Sequence, residues 1–354
     1  MNDWILHLNE KYNIGCTEFE LLTITAFKIF QLEKIELAII EVGVGGRLDA
    51  TNVLHPYNTA VDAPTKFEVF HDDVFDNVQD KKGPSGVIAS GITKIGMDHE
   101  SLLGNTLSEI AFEKAGIIKD SVPCVVDNTN EPEVIDTITK CAEKAHAPLY
   151  LVNDESEQYM HLSPLAGDYQ VQNLSIALKI ISIISTYFPG SITRDTIEHG
   201  IAGAEWPGRL QKLTIPSVNL PILLDGAHNE SAAIELGKYL NSYRDDSGII
   251  FVIAMTKSKS VENLLKHIII KSIDTVIVTN FSPPFNMPWV KSYDVEELQK
   301  EASKLAEVDP VVIKDDIDKV FHHVNQYRLK GDTRKIVVCG SLYLCGDVLR
   351  LVSG

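Results

Sequence analysis

Cysteine is scarce and scattered. Cys16, Cys124, Cys141, Cys339 and Cys345 are the five in 354 residues, and no two form a Cys-x-x-Cys pair. That pattern excludes a disulfide framework and a cysteine-built zinc site, and it fits a reducing compartment. Positive charge is in deficit: 32 Lys and Arg stand against 49 Asp and Glu, a formal net charge of −17, with a pI near 5.0. Such a balance argues against nucleic acid or an anionic membrane as the main partner. No apolar run reaches the length that crosses a bilayer. The first residues show no basic head followed by an apolar stretch, the pattern of a secretory signal. Two nucleotide-binding patterns are also missing. No Gly-x-x-x-x-Gly-Lys-Ser/Thr occurs, and no Gly-x-Gly-x-x-Gly opens a βα unit, which argues against a dinucleotide-dependent dehydrogenase.

What is present is ordinary in bulk and unusual in place. Hydrophobic residues make up 44% and charged residues 23%, the composition of a globular protein. The length suggests two domains. The chain is organised around Leu37-Ala38-Ile39-Ile40-Glu41-Val42 and the segment after it. The run predicts a strand buried on both faces. Gly43, Gly45 and Gly46 follow, then Arg47, Asp49, Thr51 and Asn52. Glycines there allow a sharp turn and close approach to a ligand, and parallel sheets hold ligands beyond the carboxyl ends of their strands. Glu41 therefore stands where α/β enzymes keep their chemistry. The competing reading is a strand-ending glutamate and a tight loop.

Taken in order, Thr17-Glu18-Phe19-Glu20 is a capping box, and Phe19, Leu22, Ala26 and Ile29 continue at helical spacing. From 63 to 90 the chain is acidic and turn-rich, which reads as a surface insertion, a solvated loop rather than a partner site. Val87 to Ile95 predicts a core strand running into Asp98, His99 and Glu100. Thr106-Leu107-Ser108-Glu109 is a second capping box, opening a helix that contains Lys114. Val122–Val126 predicts a further strand, and Asp168–Ile184 a long helix capped by Asp168. At Glu205-Trp206-Pro207-Gly208-Arg209 the pattern breaks, so the domains are expected at 1–206 and 207–354. Beyond the break, strands at Pro221–Leu224, Ile249–Ala254, Thr275–Thr279, Val311–Ile313 and Ile336–Val338 alternate with helices, the signature of a parallel, doubly wound sheet.

Several strand ends carry polar residues. Glu41, His99 and Lys114 do so in the first half; a carboxylate and an imidazole suit magnesium only if phosphate or water completes an octahedral shell. Taken singly, His99 is more often a structural or substrate-contacting histidine. Asp225-Gly226-Ala227-His228-Asn229 ends a strand and opens a helix, whose N-terminus is a natural anion site; the plain alternative for Asp225 is a helix cap. Gly340-Ser341 repeats the arrangement. Polar strand ends in two domains imply a cleft between them, with Arg209 at the hinge.

Six runs, in order and over nearly the whole chain, resemble the folylpolyglutamate synthase and dihydrofolate synthase family of the Mur ligase group. They are Glu41–Asn52, Gly91–His99, Glu113–Lys119, Glu205–Leu210, Leu224–Asn229 and Gly340–Leu344. The resemblance implies an α/β fold with a Mur-ligase-like central ATPase domain, mostly parallel, and a C-terminal Rossmann-like domain. It implies an ATP-dependent carboxylate–amine ligase. A pteroate or folate carboxylate takes a phosphoryl group from ATP, and the amine of L-glutamate attacks the acyl phosphate. By position, Glu41 and His99 match magnesium ligands, and Lys114 matches a lysine carbamylated in relatives. Asn173 and Arg209 match ATP contacts, Asp225 a residue that holds the nucleotide, and His228 lies beside it. The implied cofactors are ATP and Mg²⁺. The implied partners are dihydropteroate or folate and L-glutamate, acting on a monomer in the cytoplasm or mitochondria. Gly46–Asn52 with Glu113-Lys114-Ala115-Gly116 is nearer dihydrofolate synthases, joining glutamate to dihydropteroate, than enzymes restricted to polyglutamate synthesis.

One departure stands out. Relatives carry a strand, a glycine-rich phosphate loop and a helix ahead of the first capping box; this sequence starts after them. One preorganised donor is worth about 2.7–4 kcal/mol in the transition state, so loss of several is expected to slow turnover by more than about 10⁴-fold. An inactive relative that only binds nucleotide or folate is the alternative expectation.

Overall fold

The structure is a computed structural model that describes residues 2–57, 86–257, 259–270, 272–284, 287, 289–305, 310–314 and 316–353. Of the insertion expected at 63–90, residues 63–85 lie outside the described residues. By their contacts the residues divide into two compact units, Met1–Glu155 with Gln172–Ile192, and Ser156–Val171 with Thr193–Gly354. The break at Pro207 falls inside the second unit and just precedes its first strand.

The first unit carries α1 (Asn2–Lys11), α2 (Glu18–Glu33), β1 (Ser90–Ile92), α3 (Glu100–Leu103), α4 (Leu107–Ala115), β2 (Cys124–Asp127), α5 (Pro132–Lys144) and β3 (Leu149–Val152); α6 (Gln170–Ile184) follows. Both capping boxes form. Thr17 and Glu20 at the head of α2, and Thr106 and Glu109 at the head of α4, exchange side-chain bonds with each other's backbone amides. The strands make a parallel sheet in the order β1-β2-β3. Ile92, Ile110, Ala111, Val126, Val134 and Ile138 bury one face of it beneath α4 and α5. Gly91 sits where a Cβ would stand 2.9 Å from the Ile180 side chain, so α6 lies close on the other face.

Two expectations fail here. Leu37–Val42 is not a buried strand: it is coil without ladder bonds, and Ile39 is 92% exposed. An apolar run becomes a strand only where a neighbour takes up its amides and carbonyls, and the described sheet ends at β1. The strand expected over Val87–Ile95 shrinks to Ser90–Ile92, with Val87 only bridging to Pro56.

The second unit carries α7 (Arg194–Ala202), β4 (Gln211–Ile215), β5 (Leu220–Leu224), α8 (Glu230–Tyr243), β6 (Ile249–Ile253), α9 (Val261–Leu265), β7 (Thr275–Val278), α10 (Val295–Ser303), β8 (Val311–Val312), α11 (Ile317–Leu329), β9 (Lys335–Cys339) and α12 (Leu342–Ser353). Its sheet runs β4-β5-β9-β6-β7-β8, parallel except for the antiparallel pair β4–β5. Alternate residues of each strand feed opposite cores. Ile249, Phe251 and Ile253 pack with Leu236, Leu240, Leu264 and Leu298, while Ile250 and Val252 pack with Phe321, Val324, Leu344 and Val348. Helices therefore cover both faces, the doubly wound arrangement. No helix among the described residues is long and apolar enough to cross a membrane.

Candidate functional site

In the first unit the chain after Leu37 reaches its ordered turn at Gly43. Gly45 takes φ +68°, a conformation open to glycine at little cost. Asp49 then ties the loop. Its carboxylate accepts the amides of Val44 at 3.0 Å and Thr51 at 2.9 Å, and the Thr51 hydroxyl at 2.6 Å. Burial pushes the Asp49 carboxyl up, but these bonds outweigh it and leave the pKa below its ordinary value. Glu41 stands exposed just ahead of this loop.

His99 sits beyond β1, at φ +53°, as the residue before α3. Left-handed backbone is strained for a non-glycine residue, at about 1–3 kcal/mol. Local bonds hold it there: the His99 amide donates to Asp98 Oδ1 at 2.9 Å, and its carbonyl accepts the amides of Leu102 and Leu103. The segment leading to it is pinned by the buried Asn130, whose side chain accepts from Ile95 N at 2.7 Å and donates to Thr93 O and Asp127 O. Asp98 Oδ2 lies 3.8 Å from His99 Nε2. Asp98 also acts on Lys114 at the end of α4. Burial lowers the Lys114 pKa and the charge of Asp98 opposes that shift, with burial prevailing. Asp98 thus lies beside His99 and within range of the Lys114 charge.

Magnesium prefers oxygen ligands and keeps several waters or phosphate oxygens. Among the described residues no group of three or more His, Cys, Asp or Glu side chains could hold a metal ion. The donor chemistry nonetheless fits a magnesium ion held by one or two protein groups and completed by phosphate: Glu41 and Asp98 offer carboxylate oxygens. An unmodified lysine amine at 114 supplies no oxygen.

Asn173 is half-buried on α6. The remaining candidates lie in the second unit, where β4 and β5 bring them together. Arg209 is flanked by Gly208 at φ +70° and Leu210 at φ +44°. Asp225, at the end of β5, is buried, and accepts the Leu210 amide at 2.9 Å and the Ala227 amide at 2.8 Å. Burial raises its pKa; the two amides and the charges of Arg209 and His228 oppose the rise without cancelling it. Asp225 does not cap α8: Asn229 does, accepting from Ala232 N. His228 Nδ1 lies 2.8 Å from Gly226 O. A carbonyl only accepts, so Nδ1 carries the proton.

Sequence patterns alone missed Tyr169. Burial raises its pKa, the charge of Asp225 adding to the rise and that of Arg209 opposing it. Buried Cys345 also faces Asp225 and Arg209, and burial pushes its thiol up to about 12, which leaves it inert as a nucleophile.

Residues 209–351 match the family described as dihydrofolate synthetase, C-terminal domain. Over 97% of its length the chain is 37% identical to a dihydrofolate synthetase of Saccharomyces cerevisiae, spanning 78% of that protein. It is also 37% identical to a probable dihydrofolate synthetase of Schizosaccharomyces pombe, over 98% of the chain and 78% of the relative. A probable folylpolyglutamate synthase of Saccharomyces cerevisiae is 26% identical over 98% of the chain and 76% of the relative. Among solved structures, folylpolyglutamate synthase from Thermotoga maritima matches 99% of the chain and 73% of its own, at 25% identity and a TM-score of 0.68. The Mycobacterium tuberculosis enzyme, solved with ADP and AMPPCP, matches 99% of the chain and 76% of its own, at 24% identity and a TM-score of 0.72. The two-unit α/β fold is that of these structures.

Proposed function

The chain belongs to the dihydrofolate synthetase and folylpolyglutamate synthase family, and from that membership we propose that it is an ATP-dependent ligase joining L-glutamate to dihydropteroate. The observation that carries the choice of acceptor is a contrast within one organism. The chain is 37% identical to the dihydrofolate synthetase of Saccharomyces cerevisiae and 26% identical to that organism's probable folylpolyglutamate synthase, over nearly the same length.

In this reading the second unit grips nucleotide through Arg209, whose planar fork suits phosphate oxygens. Asp225 keeps Arg209 on its turn by holding the next amide, and His228 faces the same cluster. Asn173 adds a further ATP contact. In the first unit Glu41, His99 and Lys114 would hold magnesium, Lys114 as its carbamate, and the ion would supply positive charge toward phosphate oxygens. The partners are small molecules.

The test supplies dihydropteroate, L-glutamate, ATP and magnesium to the chain, and to a form with a phosphate-loop strand and helix added in front. Dihydrofolate from either form supports the proposal, and its absence from both ends it. Addition of glutamate to tetrahydrofolate but not to dihydropteroate reassigns the chain to polyglutamate synthesis. Nucleotide binding without turnover in either form, lost on Asp225→Ala, makes it a binding protein.

A further inference from the structure

The loop after Glu41 and the end of α4 before Lys114 are joined by an interlocking set of contacts that the proposed chemistry does not use. Arg47 donates its backbone amide to Glu113 O at 2.8 Å. Its side chain forks onto the same residue: Nε lies 3.1 and 3.2 Å from the two carboxylate oxygens and Nη2 lies 2.9 Å from one. The guanidinium also stands 5.7 Å from the centre of the Phe112 ring. Asn52 adds a second tie, its Nδ2 donating to Arg47 O at 3.1 Å and Gly116 O at 3.0 Å. Lys119 closes it from behind, Nζ donating to Asn52 O at 3.0 Å and Asn52 Oδ1 at 2.8 Å. The backbones meet almost without side chains between them. A Cβ at Gly46 would stand 2.9 Å from Lys114 O, and one at Gly116 would stand 2.4 Å from Arg47 Cα.

We propose that Arg47, Glu113, Asn52 and Lys119 are positioning residues that lock the loop directly after Glu41 to the helix end carrying Lys114, so that these two positions keep one spacing. Neither segment is held by sheet bonds of its own: 37–42 is coil, and Lys114 lies in the last turn of its helix. The lock supplies the fixity that a ladder would otherwise give. A forked Arg–carboxylate pair suits this work because it fixes orientation as well as distance. The proposal rests on the metal-site reading above, and its test separates the two.

The test uses Arg47→Met, which keeps the stem along Phe112 and removes the fork, Glu113→Gln, and the double variant. Binding of AMPPCP, a non-hydrolysable ATP analogue, is measured by calorimetry with and without magnesium chloride. Each single variant is expected to weaken the magnesium-dependent part of binding by about 10-fold, the scale on which groups behind metal ligands act. Binding without magnesium stays unchanged, and the double variant is no worse than either single one. A merely structural role would lower both kinds of binding together. Unchanged magnesium dependence in folded Arg47→Met overturns the proposal.

If the unmodified chain binds AMPPCP equally with and without magnesium, the metal-site reading fails. The lock is then judged by amide hydrogen exchange in the same samples. Faster exchange at Val44, Arg47 and Thr51 in both single variants supports it, and exchange like that of the unmodified chain refutes it.

Discussion

The Asp225 carboxylate receives the amide hydrogen of Leu210 at 2.9 Å, and Leu210 is the residue that follows Arg209 in left-handed backbone. One carboxylate thereby braces a strained turn. Its other oxygen receives the Ala227 amide, so both oxygens must be acceptors. Asp225→Asn keeps the shape but turns one acceptor into a donor facing a buried N–H. The expected cost is about 1–3 kcal/mol, read from urea denaturation.

The same residue makes a pH prediction. Burial holds its folded pKa above the ordinary 3.8, so the folded state keeps this proton more tightly than the unfolded chain does. Its contribution to stability is fullest below the unfolded pKa and declines as pH rises through the raised folded value. Asp225→Asn lacks that decline. The stability advantage of the native chain over the variant should therefore be larger near about pH 4 than at neutrality. An advantage that grows with pH would contradict this.

Gly226 lies beneath Arg209. A Cβ there would stand 2.4 Å from Arg209 Nη1 and 2.3 Å from Leu342 Cδ2. Both are ends of flexible side chains, so Gly226→Ala should cost little stability, within about 0.5 kcal/mol. It should nevertheless push the guanidinium aside and weaken nucleotide binding by about 10-fold, roughly 1.4 kcal/mol. Equal affinity in calorimetric titration would remove Arg209 from the phosphate contacts.

Arg244 and Asp274 form an almost fully buried pair at 2.7 Å. Arg244 also donates to Ile268 O, and Asp274 accepts the amides of Ile249 and Ile270. Arg244→Ala strands a buried carboxylate, and a loss of about 3–5 kcal/mol is expected. A loss below about 1 kcal/mol would indicate a pair already open to water.

On the first unit, Leu22, Leu32, Ile35 and Ile39 all present apolar surface. Exposed apolar side chains offer surface for dye binding and self-association. Ile39→Glu should lower binding of a hydrophobic dye and reduce association at high concentration, with stability changed by less than about 0.5 kcal/mol. Substantial destabilisation would mean that Ile39 is covered in solution.

What could be read without coordinates follows the range of the forces involved. The five parallel strands expected after Pro207 all formed, because strands buried on both faces leave unbroken apolar runs such as Ile249–Ile253. The two capping boxes were equally legible, being complete within four residues. Leu37–Val42 shows the same apolar signature yet stays exposed, since burial depends on a neighbour that a run cannot report. Strand β4 escaped notice because Gln211-Lys212-Leu213-Thr214-Ile215 is short, holds only two apolar residues and follows a Pro-Gly break. Arg47 and Glu113 both lay inside recognised motifs, but 66 residues separate them, and no periodicity links them. Tyr169 had no motif at all.

The central position of β9 sets an order on biosynthesis. Strands β5 and β6 do not pair with each other; each pairs with β9, which is translated after both. Until Lys335–Cys339 leaves the ribosome, the flanks of this sheet have no shared edge, and Leu223, Phe251 and their neighbours await a common lining. A nascent chain stalled before that strand should be held by chaperones and cut readily by proteases, and release of β9 and α12 should close the unit in one step.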